Sequence, residues 1–103
     1  MDCRDLLKTR LKNLKKGDIV LSRHAKEQAI FRQIKLSEIR ENIINPVRLY
    51  HAKEQPAKIA GERKFDCYFD YHERLCHRYI LVNSHRCIVC TVIKINRRWR
   101  HLI

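Results

Sequence analysis

The chain has 103 residues, with 23 lysines and arginines against 11 acidic residues and a formal net charge of +12. That length is one domain's worth and supports a single modest core. No apolar run approaches the roughly 18–20 residues of a membrane-spanning helix. The charged start, residues 1–8, lacks the apolar stretch of a signal peptide.

The expectation is therefore one cytoplasmic domain over residues 1–103. Its charge exceeds the magnitude of about 2–8 that serves solubility in a small domain. The excess points to nucleic acid, an anionic surface or an acidic protein. Five cysteines, an odd number, are expected to stay reduced in the cytosol.

Residues 3–16 read as an amphipathic helix with Leu6, Leu7, Leu11 and Leu14 near one face and lysines elsewhere. Gly17 suits the position just past its end. Ile19, Val20 and Leu21 read as a short strand. Ser22 is placed to cap a helix from Arg23 to Arg32, buried through Ala25 and Ala29. Ser37 is the expected cap of a further helix ending at Asn45-Pro46.

From Val47 the apolar period changes from helical to alternating. Residues 47–50 read as a strand, and 51–62, with Pro56 and Gly61, as a polar loop. Residues 65–71, 76–82 and 87–95 read as three strands joined by short turns, an antiparallel meander. Residues 96–103 form a basic tail. The order predicts an α+β fold, with helices on one face of a mainly antiparallel sheet of three or four strands.

The run Ile19-Val20-Leu21-Ser22-Arg23-His24-Ala25, then Arg32-Gln33-Ile34, Ser37-Glu38-Ile39, Asn45-Pro46 and Ile88-Val89-Cys90-Thr91-Val92-Ile93, resembles a small prokaryotic domain family. That family is of unknown function and is grouped with the RelE/ParE- and BrnT-type toxins. The resemblance spans residues 18–95 and leaves 1–16 and 96–103 outside it. It implies a RelE/ParE-like fold and a toxin of a toxin–antitoxin pair. The activity implied is cleavage of RNA, ribosome-bound mRNA included, or inhibition of another target, and the partner implied is an acidic antitoxin.

Metal-free RNA cleavage needs a base for the 2′-hydroxyl, an acid for the leaving oxygen and cations for the phosphorane. His24 is the leading candidate, at a strand–helix junction that favours anions, with Arg32 one helix length away. His77 and Arg78 form a second set; adjacent on one strand, they face opposite sides of the sheet. The catalytic candidates are thus His24, Arg32 and Arg78. Phosphate contacts are expected from Arg23, Arg63, Lys64, Arg97, Arg98 and Arg100, with Trp99 able either to stack on a base or to anchor the C-terminus on the core.

Cys87 and Cys90 have metal-knuckle spacing, but on one strand they face opposite sides. No metal or other cofactor is expected. The alternative to a nuclease is a non-catalytic basic module that binds nucleic acid or an acidic protein.

Overall fold

The computed structural model describes residues 2–103. Helix α1 (Cys3–Leu11) starts where the Asp2 carboxylate accepts the Asp5 N–H at 2.8 Å, and it buries Leu7 and Leu11. It is shorter than the expected 3–16. Beyond Leu11 only Leu14 faces the core, and the chain turns into a 3₁₀ segment, Lys16–Asp18. The Asp18 carboxylate closes that segment by accepting the Lys15 N–H at 2.9 Å. Gly17 lies inside it and does not end the helix.

Strand β1 (Ile19–Leu21) leads directly into α2 (Arg23–Phe31). Ser22 caps α2 as expected: its hydroxyl accepts the Ala25 N–H at 3.1 Å and donates to the Cys90 carbonyl at 3.3 Å. Ser22→Ala is expected to cost about 1 kcal/mol in chemical denaturation, and Ser22→Asp, which still caps, much less. Gln33 takes φ 57° and separates α2 from α3 (Leu36–Ile44). Lys35, without a side-chain cap, stands at the start of α3, so Ser37 lies one residue inside the helix. Asn45-Pro46 ends it, as the proline demands.

Strands β2 (Leu49–Gln55), β3 (Arg63–His72), β4 (Leu75–Asn83) and β5 (Cys87–Ile95) form an antiparallel meander. The sheet order is β1-β5-β4-β3-β2, with β1 parallel to β5. The sheet is therefore five-stranded and mixed, where three or four strands were expected. Three residues are too few to display a period, and the pairing of β1 with β5 spans most of the chain. The polar loop is likewise shorter than expected, because β2 runs on through residue 55. A bulge between Leu49 and His51 breaks its alternation and disguises the strand.

One core fills the face under the helices, where Leu7, Leu11, Ala25, Ala29, Ile39 and Ile43 meet Phe65, Phe69, Tyr79, Leu81 and Val89. Where β5 runs past the end of β1, the Gln28 carboxamide of α2 takes the ladder's place and accepts the Val92 N–H at 2.8 Å. The opposite face of the sheet carries no helix. The tail crosses part of it, with Trp99 and a 3₁₀ turn (Arg100–Leu102). No helix among the described residues is long and apolar enough to cross a membrane.

Candidate nucleic-acid interface

Register places the side chains of the helix-free face in rows. His51 pairs with Tyr68, Tyr68 with Arg78 and Arg78 with Ile93, one row crossing four strands. The neighbouring row is Lys53, Asp66, Ile80 and Thr91. Directly opposed residues share a face with Cβ atoms about 5 Å apart, so an imidazole, a phenol, a guanidinium and an ammonium group converge here. The His51 and Tyr68 rings are 6.0 Å apart. The Arg78 guanidinium carbon lies 5.2 Å from the Tyr68 ring centre.

Asp66, buried, holds Arg78 by two hydrogen bonds, from Nε at 2.8 Å and from Nη2 at 2.6 Å. That bidentate grip raises the Arg78 pKa further, and it occupies two of the five guanidinium donors. The other three remain for a ligand. Burial pushes the Tyr68 phenol above its ordinary value, so it stays protonated and can donate. A cavity of about 450 Å³ opens on this group, lined by His51, Lys53, Asp66, Tyr68, Leu102 and Ile103.

The expected site residues do not form a single cleft. His24 is exposed in the first turn of α2 and Arg32 stands at its far end. Eight residues at the helical rise set them about 12 Å apart along the axis. Arg32 lies by the Phe31 ring, 5.9 Å from its centre. Both belong to the helical layer, whereas Arg78 faces the other side of the sheet.

Arg23 pairs with Glu27 at 3.1 Å, and Arg63 makes a bidentate pair with Glu54 at 2.8 and 2.7 Å. Lys64 lies next to the row of Lys53 and Asp66, in a smaller cleft with Val82 and Cys90. Arg97 and Arg98 are exposed, and Arg100 pairs with Asp70 at 2.8 Å.

Trp99 is fully buried and not free to receive a base. Its ring is parallel to that of Tyr68 within 4°, with centres 6.3 Å apart, and its Nε1 donates to the His72 carbonyl at 2.8 Å.

His77, as expected from strand alternation, faces away from Arg78 and into the helical layer. Its Nδ1 is 2.7 Å from the Tyr79 hydroxyl. The Asn42 amide donates to the hydroxyls of Tyr79 and Tyr71 at 3.0 and 2.8 Å, and Tyr71 donates to Glu38 at 2.7 Å. Burial pulls the His77 pKa down from 6.5 to about 4 and pushes that of Tyr71 up to about 12. A neutral, enclosed His77 serves the packing of α3 on the sheet.

Sequence reasoning missed His51, Lys53 and Tyr68. The first two lay in the stretch assigned to a loop. The signal that identifies them is the polar set His51, Lys53 and Gln55 at period two, visible once the bulge is allowed for. No protein-family model matches the chain, and neither a curated protein nor a solved structure matches it.

Proposed function

We propose that this chain is an RNA-binding protein that cleaves RNA without a metal, in the manner of a RelE/ParE-like toxin, and that the helix-free face of the sheet is its working surface. The observation that carries this reading is the convergence of His51, Lys53, Tyr68 and Arg78 on that face. In this reading His51 takes the 2′-hydroxyl proton, and Arg78 and Lys53 stabilise the charge of the phosphorane. Tyr68, kept protonated by burial, gives its proton to the departing 5′-oxygen. The net charge of +12 adds long-range attraction to the phosphate backbone and matches an acidic antitoxin as protein partner.

The test is primer extension on an mRNA translated in a cell-free reaction, with EDTA-treated controls on purified RNA and on DNA of the same sequence. Discrete cuts in RNA alone are expected. His51→Ala should slow them by roughly a hundredfold or more. A His24→Ala, Arg32→Ala double variant should leave the chemistry largely intact, because those residues sit in the other layer. Cuts lost in the double variant and kept in His51→Ala would move the site to α2. Salt-dependent RNA binding without turnover would leave a non-catalytic binding module.

A further inference from the structure

A cavity of about 580 Å³ lies beyond the edge strand β2 and joins the cleft of the helix-free face through His51 and Ile103, which line both. Asp2, Cys3 and Arg4 at the start of α1 form one wall, and Tyr50, His51 and Ala52 of β2 form another. Among the described residues its carboxylate and guanidinium side chains are those of Asp2 and Arg4, and Cys3, Tyr50, His51, Ala52 and Ile103 complete the lining. A phosphate would meet the Asp2 carboxylate there, so the lining does not suit an anion. It suits a flat, uncharged heterocycle with donors on one part of its edge and acceptors on another.

The Arg4 side chain is partly exposed; its shielded Nε lies 3.6 Å from the Asp5 carboxylate, which leaves the outer guanidinium nitrogens as the donors that a ligand can reach. Asp2 uses one oxygen to cap α1 and has the second to spare. Guanine matches this pair: its N1–H and N2–H₂ are donors for a carboxylate, and its O6 and N7 are acceptors for an arginine.

We infer that the cavity between α1 and β2 is a base-reading subsite for guanine, seating a nucleotide of the RNA that crosses the helix-free face. The inference rests on the RNA reading given above. Tyr50 lines the cavity beside the base, and His51 stands where the base cavity meets the cleft of Lys53, Asp66 and Tyr68.

The experiment compares binding of the full chain to uridine oligomers with and without one central guanosine, at fixed salt. Amide shifts are followed in parallel during titration with guanosine 3′-monophosphate. About tenfold tighter binding of the guanosine oligomer is expected, with shifts concentrated at Cys3, Arg4, Tyr50, His51 and Ala52. Arg4→Gln and Asp2→Ser, the latter keeping a capping side chain, should each abolish the preference while binding to plain uridine oligomers stays within about twofold. Equal affinity for both oligomers, or a preference unchanged in both variants, would overturn the subsite and leave the RNA reading standing. Failure to bind either oligomer would overturn both.

Discussion

Trp99→Ala is expected to lower the unfolding free energy by about 3–5 kcal/mol, the usual cost of removing a large buried aromatic. The residue lies in the basic tail, and its ring is wholly shielded from solvent, the anchoring alternative of the two that the sequence offers. It stacks in parallel on Tyr68, meets Tyr50 edge-on at 5.1 Å and donates to the His72 carbonyl. The Arg100 guanidinium lies 5.3 Å from the Trp99 ring centre and pairs with Asp70, so the tail is held at two adjacent positions.

Trp99→Phe keeps most of the buried area and loses the hydrogen bond, and a cost of about 1 kcal/mol for that bond is expected. Urea denaturation of the two variants beside the unmodified protein makes the comparison. A loss below about 1 kcal/mol for Trp99→Ala would mean that the tail does not dock as described.

The second large effect is on pH dependence. His77 has its pKa drawn down from 6.5 to about 4, above all by burial, with Lys94 and Arg48 adding repulsion and Glu38 opposing them. Tyr71 packs on its ring and Tyr79 bonds its Nδ1. The unfolded chain takes up a proton on this group near pH 6.5, and the folded chain resists until about pH 4. Between those values the unfolded state binds more protons, so stability rises with pH.

The contribution is fully present above the unfolded value and is lost as the pH falls toward 4. A depression of that size corresponds to about 3 kcal/mol. The His77 ring protons, followed by NMR, should titrate near pH 4. His77→Phe should flatten the decline in stability across that window. A ring that titrates near 6.5 would show that it is not sequestered as the packing of α3 requires.

These two residues also mark the boundary between local and non-local information. What the sequence determined by itself is local. Ser22 caps α2 because a hydroxyl reaches the N–H three residues on. Asn45-Pro46 ends α3 because proline disfavours a helical residue before it. Residues 87–95 form one strand from their own apolar, β-branched character. The opposition of His77 and Arg78 follows from the twofold period of a strand. The α+β class follows from the order of such elements.

Only the tertiary structure decided the rest. The pairing of β1 with β5, the seating of Trp99 on Tyr68 and the Arg78–Asp66 grip all join parts of the chain with no local signature. The β2 bulge hid His51 and Lys53 in an apparent loop, and the rows of the sheet brought them to Tyr68 and Arg78. His24 and Arg32 were conspicuous because they flank one helix. The sheet assembled a different set, because side-chain neighbourhood across strands is set by register, and register depends on packing that one segment alone does not specify.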